Sequence, residues 1–284
     1  PATIVSVAIL ILVQSLVQDQ RRAAFQSWAF GVGYFAFSLR WIVEPFLVDI
    51  ARHGWMAPFA LVLMATGAAL FWGLAGWLSY RIAPRSAAMF ALLLVLAEVL
   101  RSLILSGFPW ALLGHVWVDT GIAQLSAFGG PHLLTLVLVL SAWACPLLFS
   151  RDHIVGLVTL GLLVALSFVM RPGPPPVLTD DLPTVRLVQP NAPQSQKWDP
   201  LYRDVFLDRL LRYTSEGEVP DLVVWPETAI PFLLNHIEDD LSLLSDASRG
   251  ATLVFGIQRR DAEFRAFNSL VVMTPDGLVN GVYD

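Results

Sequence analysis

The sequence is short of cysteine, of charge and of internal repeats. One cysteine, Cys145, stands among 284 residues, which excludes an intrachain disulfide framework and any multi-cysteine metal site. It falls within LVLVLSAWACPLLF and reads as part of an apolar helix. His115 and His132 are isolated, without metal-ligand spacing, so no metal is assigned. Charged residues make up 14% of the chain, where a soluble domain carries about 25%. Apolar residues make up 56%, and the mean hydropathy is +0.63. These values exclude a disordered chain, a basic nucleic-acid-binding protein and an ordinary cytosolic enzyme. They point to a membrane protein. The chain opens at Pro1, without Met, inside an apolar run. No signal peptide can be read from it, and the native N-terminus is expected upstream.

What charge there is divides unevenly. Residues 1–177 hold nine arginines and six acids, net +3, whereas residues 178–284 hold nine bases and seventeen acids, net −8. One chain thus carries two regions suited to different solvents. A hydrocarbon core about 30 Å thick needs roughly 20 apolar residues per helix. Six runs are read as spans, about 2–17, 23–43, 58–79, 86–106, 131–149 and 154–170, making 1–171 a transmembrane domain. Arg21, Arg22, Arg81, Arg85 and Arg151 follow the first, third and fifth runs, against Arg40 and Arg52 after the second. The bias puts the first set in the cytoplasm. Everything after Arg171 is then expected outside it, in the periplasm of a bacterium.

The fourth run carries Glu98 and Arg101, three residues apart and so on one helical face. Two readings stay open: a mutually neutralising pair, or a polar lining for a lipid headgroup. Beyond it come Gly107, Phe108, Pro109 and Trp110, then Gly114, His115 and Trp117. Aromatics there read either as interfacial anchors or as part of a site.

Arg171–Pro176 (RPGPPP) opens a stiff proline-rich linker over 172–183. The pattern then changes to short strands and amphipathic helices. TVRLVQ at 184–189 alternates like a strand, and 200–215 reads as a helix from its i, i+4 apolar pairs. DLVVW at 221–225 reads as a buried strand stopped by Pro226, 241–247 as a helix and 251–257 as a third strand. Residues 267–274 and 278–283 form a hairpin about Pro275-Asp276-Gly277. The order suggests an α/β layer structure over 184–284, and its last residue, Asp284, lies inside a strand, so a C-terminal truncation is expected.

The stretch Trp225-Pro226-Glu227-Thr228-Ala229-Ile230-Pro231 puts a carboxylate at the C-terminal edge of the sheet, where open α/β sheets build their sites. Apolar neighbours would desolvate Glu227 and raise its pKa, which suits a general base. Capping of a following helix is the alternative. Three further stretches accompany it. They are Val188–Gln194 with Lys197-Trp198-Asp199, Glu98-x-x-Arg101 with Gly107-Phe108-Pro109-Trp110, and Gly256 with Phe267-Asn268-Ser269.

Together, in this order, the four stretches resemble the apolipoprotein N-acyltransferases, membrane enzymes of bacterial lipoprotein maturation with a nitrilase-like outer domain. Pro190 stands where that family more often has Gly. The resemblance implies an α-helical multi-pass membrane domain in the bacterial inner membrane, followed by an α/β nitrilase-like domain, an α-β-β-α sandwich, incomplete here. It implies a Glu-Lys-Cys triad in which Glu227 is the general base. The thiol takes a fatty acyl group from a phospholipid, typically phosphatidylethanolamine, as a thioester. The α-amine of a diacylglyceryl-cysteine apolipoprotein then accepts it. The chain's one lysine, Lys197, matches the K-W element and not the triad position. The catalytic Lys and Cys are expected past Asp284, Cys145 being within a membrane helix, so these residues alone are expected to be inactive. Trp198 reads either as a surface aromatic or as a wall of the acyl cavity. Phe108, Trp110, Glu98 and Arg101 are the other candidate cavity residues.

No cofactor is called for, and the negative outer region does not favour nucleic acid. The rival readings are a membrane-anchored amidase or acyltransferase with another amine acceptor, a non-catalytic relic, and a transporter or receptor. The absence of repeats counts against the transporter.

Overall fold

The computed structural model describes residues 2–105, 107–169, 182–193, 196–197, 199, 201–237 and 241–284. The chain divides into two compact units, Pro1–Pro175 and Pro176–Asp284. The RPGPPP linker lies outside the described residues.

The first unit is helical: α1 (Ala2–Leu16), α2 (Gln20–Ser38), α3 (Ala57–Ile82), α4 (Ala87–Leu103), α5 (Ser126–Leu147) and α6 (His153–Val169). Asp19 starts α2 by accepting from the Arg22 amide at 2.9 Å, and Ser86 starts α4 by accepting from Met89 at 3.2 Å. The boundaries depart from the apolar runs in readable ways. The second run stops being α-helical at Ser38 and continues as single turns to Met56. The fourth stops at Leu103, because the chain reverses through positive φ at Leu105 and Gly107. α5 is broken at Gly129–Gly130 and restarts at Pro131, whose fixed φ suits a first helical position.

Among the described residues two helical stretches, Ile50–Ile82 and Gly121–Leu147, are long and apolar enough to cross a membrane, while Ala2–Leu16 and His153–Leu166 are shorter apolar helices. α2 and α3 meet through small residues. A Cβ added at Gly76 would lie 2.4 Å from Ser27 Oγ and 2.5 Å from the Ala23 carbonyl, so the backbones touch there. Trp72 is fully buried beside them, with Tyr34 stacked at 5.2 Å.

The second unit is a five-stranded mixed sheet in the order β1 (Val185–Leu187), β2 (Leu222–Val224), β3 (Thr252–Arg260), β4 (Ala266–Met273), β5 (Val279–Tyr283). β1, β2 and β3 are parallel, and β3, β4 and β5 antiparallel. Gly277, at φ +79, makes the β4–β5 turn. Alternation aims Leu253, Phe255 and Ile257 of β3 and Val271 and Met273 of β4 into one core. There they meet Leu210 of α7 (Arg203–Ser215) and Leu244 of α8 (Leu241–Ser248). Each such side chain contributes about 1.5–3 kcal/mol by burial. Among the described residues there is one sheet; the second sheet of an α-β-β-α sandwich is not among them.

Candidate active site

The candidate residues fall into two groups, one in each unit. In the second unit, Trp225 and Ile230 are both buried and bracket the 226–229 turn. The Trp225 indole donates to Thr214 Oγ1 at 2.8 Å, which ties the turn's entry to α7. The Gly256 amide donates to the Pro226 carbonyl at 3.3 Å, and the Ala229 amide to the Gly256 carbonyl at 2.8 Å. A Cβ at position 256 would sit 2.6 Å from Thr228 N and 2.7 Å from Glu227 Cα, so only glycine allows this approach. Thr228 itself is held at φ +49.

This turn displays Glu227 at the C-terminal edge of β2. Asn268, on β4, donates from Nδ2 to Glu227 Oε1 and accepts from Thr228 Oγ1 at 3.4 Å. Glu227 Oε2 is left without a partner among the described residues. Lys197 Nζ donates to the Glu227 main-chain carbonyl at 3.1 Å. A cavity of about 140 Å³ opens beside the carboxylate, lined by Gln189, Pro190, Lys197, Phe206, Glu227 and Thr228 among others.

Two expectations are corrected here. Glu227 is exposed, because its apolar neighbours Trp225 and Ile230 turn into the core instead of covering it. Nor does it cap a helix: after the turn come an isolated bridge at Leu233 and a single 3-10 turn, Leu234–His236. Trp198 lies outside the described residues. Asn268 and Lys197 stood in the quoted motifs without roles. For Asn268 the visible signal was a polar side chain in a strand of mostly apolar residues.

In the first unit Glu98 and Arg101 are both buried, and they form an ion pair at 3.2 Å. Burial of two charges is costly unless every lone pair and proton is used, and here nearly all are. Glu98 accepts from the Trp72 indole at 2.8 Å and from the Leu113 amide at 3.3 Å. Arg101 Nη1 donates to the carbonyls of Phe108 at 2.7 Å and Trp110 at 2.9 Å, and its guanidinium lies over the Phe35 ring. The pair therefore pins the 107–113 loop to α4. Phe108 and Arg101 line a largely apolar groove of about 560 Å³ between α3 and α4. Trp110 is exposed and meets Trp41 edge-on at 5.8 Å. Cys145 is half-buried in α5.

The family model described as the apolipoprotein N-acyltransferase N-terminal domain matches residues 1–144. The chain belongs to the apolipoprotein N-acyltransferase family. Curated members of that name include one from Caulobacter vibrioides, 37% identical over 242 residues, covering 77% of this chain and 43% of the relative. One from Sinorhizobium fredii is 33% identical over 292 residues, covering 95% and 55%. One from Brucella melitensis is 30% identical over 283 residues, covering 92% and 53%. The chain spans about half the length of these family members. Among solved structures, an N-terminal amidase overlaps 36% of this chain and 27% of its own, with 20% identity and a TM-score of 0.25. That overlap is too slight to argue from.

Proposed function

We propose that this chain serves lipoprotein N-acylation, transferring a fatty acyl group from a membrane phospholipid to the N-terminal amine of a diacylglyceryl-cysteine apolipoprotein. In this reading residues 1–171 lie in the bacterial inner membrane as six helices, 172–183 link, and 184–284 belong to a nitrilase-like periplasmic domain. The observation that carries the reading is Glu227: an exposed carboxylate at the end of a parallel strand, with Oε1 fixed by Asn268 and Oε2 free beside a cavity.

A carboxylate so held is a positioned general base. Glu227 Oε2 takes the proton of a cysteine thiol, the thiolate attacks the phospholipid ester carbonyl, and the lysophospholipid alkoxide leaves with that proton. The lipoprotein amine then attacks the thioester, the thiolate departs, and the amine's proton passes to Glu227. A lysine would stabilise the oxyanion in both steps. In this reading neither Lys197, which donates to a main-chain carbonyl, nor Cys145, in a helix of the first unit, is one of these partners. These residues alone are therefore expected not to turn over. In the membrane unit, Glu98 and Arg101 set the Phe108–Trp110 loop, and Phe108 lines an apolar groove suited to an acyl chain.

The test is Glu227→Gln in the complete gene product, with phospholipid in mixed micelles and the acyl thioester read by mass spectrometry. A loss of about 10²-fold or more is expected with expression retained. Near-normal thioester formation would remove Glu227 from the mechanism.

A further inference from the structure

At the end of the first unit where α2 begins and α3 ends, a second groove follows the seam between these helices. Arg21, Phe25 and Trp28 line it from α2, and Gly73, Leu74 and Trp77 from α3, along an open furrow of about 500 Å³. With Ala24 and Leu70, the lining residues on each helix recur at i, i+3, i+4 and i+7, so the groove runs about 10 Å along the axes. Its floor is open because Gly73 is buried against Trp28: an added Cβ would lie 3.1 Å from Trp28 Cβ. Its walls are aromatic, and Gln20 Nε2 donates to the Trp77 carbonyl at 3.3 Å, which fixes the mouth.

The mouth is cationic. Arg21 lines it, and Arg81 stands one turn beyond Trp77 on the same face of α3. Both are exposed, and neither has an acidic or hydrogen-bonding partner among the described residues. Their neighbours differ: Arg22 is paired with Asp19 at 3.1 Å, and Arg85 donates to the Val17 carbonyl at 3.2 Å. An apolar aromatic slot ending in two unneutralised guanidiniums fits an amphiphile with an anionic head.

We propose that this groove is a binding site for an anionic phospholipid, with one acyl chain between Trp28 and Trp77 and the phosphodiester between Arg21 and Arg81. The inference rests on the reading that the first unit spans a membrane. The head must be anionic overall, because a zwitterionic lipid brings its own cation against the two arginines. By the arginine bias of the loops this end is the cytoplasmic one. The groove shares Leu70 and Leu74 with the groove that Phe108 lines, but its second wall is α2 instead of α4.

The test uses the 284-residue chain in phosphatidylcholine nanodiscs, titrated with brominated phosphatidylglycerol or brominated phosphatidylcholine. Quenching at Trp77 is taken as the difference between the wild type and Trp77→Phe. Saturable quenching by the brominated phosphatidylglycerol is expected, with little by brominated phosphatidylcholine at equal mole fraction. A juxtamembrane arginine accounts for about fivefold in binding to an anionic surface. Arg21→Gln with Arg81→Gln should therefore raise the half-saturation point about 25-fold, while Arg52→Gln, at the other end of α3, leaves it unchanged. Coincident curves for the two lipids would overturn the site, as would an equal loss in Arg52→Gln. Absence of quenching at every tryptophan by both lipids would overturn the membrane reading and the site with it.

Discussion

Replacing Gly256 by alanine tests whether the candidate site depends on one backbone approach. The new methyl would lie 2.6 Å from Thr228 N, 2.7 Å from Glu227 Cα and 2.8 Å from the Pro226 carbonyl oxygen. All three are backbone atoms, so no side-chain rotation relieves the clash. Restoring a separation of about 3.5 Å requires the turn to withdraw by about 0.9 Å. That movement stretches the bonds joining position 256 to Pro226 and Ala229. Overpacking of this kind costs about 1–3 kcal/mol, which in a unit of this size corresponds to a fall in Tm of about 5–20 °C. It also carries Glu227 away from Asn268. Differential scanning fluorimetry reads the first effect, and ¹³C NMR of the Glu227 carboxyl the second. Gly281→Ala is the control, since no atom lies within 4 Å of its added Cβ; a change within about 0.5 kcal/mol is expected there. Gly256→Ala with an unchanged Tm and an unchanged Glu227 resonance would refute the reasoning.

Further outcomes follow from the other contacts. Asn268→Ala frees Glu227 Oε1, and thioester formation in the complete gene product should fall about 10–100-fold for a loss of about 1 kcal/mol in stability; unchanged kinetics would make Asn268 a bystander. Glu98→Ala leaves Arg101 buried and unpaired, and should cost about 3–5 kcal/mol by thermal unfolding in detergent. A cost near zero would mean that the loop and Trp72 do not depend on the pair. The Thr184 amide and hydroxyl, at 2.7 and 2.9 Å, hold the Asp221 carboxyl below its ordinary range. A depressed folded-state pKa stabilises the fold above the unfolded value of about 3.9 and loses that stabilisation as pH falls through the folded value. The Tm gap between wild type and Asp221→Asn should therefore be full at pH 6 and close below about pH 4; a gap constant from pH 6 to 2.5 would contradict this.

The strands of the second unit were legible because their information is local. Residues 251–257 and 267–274 alternate or run apolar, and Pro275-Asp276-Gly277 is a turn by composition, matching β3, β4 and the turn at Gly277. The place of Glu227, just past an apolar strand, was legible for the same reason. Its exposure was not. Apolar neighbours in sequence bury a carboxylate only when they fold over it, and the turn sends Trp225 and Ile230 the other way. Asn268 reaches Glu227 through the β3–β4 register, which pairs Gln258 with Asn268. No spacing within one segment could have announced that contact. The Glu98–Arg101 pair was likewise visible as an i, i+3 spacing, while Trp72, Leu113 and the two loop carbonyls that complete it come from 7 to 26 positions away.

In both groups a cation holds main-chain carbonyls and leaves the displayed side chain free of itself. Arg101 bonds the carbonyls of Phe108 and Trp110, and Lys197 bonds that of Glu227. A loop anchored by its backbone keeps its shape whatever side chain it carries, so the residue that presents chemistry can be set apart from the residue that positions it. For Glu227 the division is sharper still: Lys197 fixes the main chain, Gly256 admits the turn, and Asn268 takes one carboxylate oxygen. Three residues from three segments thus determine where a single free oxygen points, the arrangement that the proposed role of Glu227 as a base requires if it is to meet a proton without first being ordered.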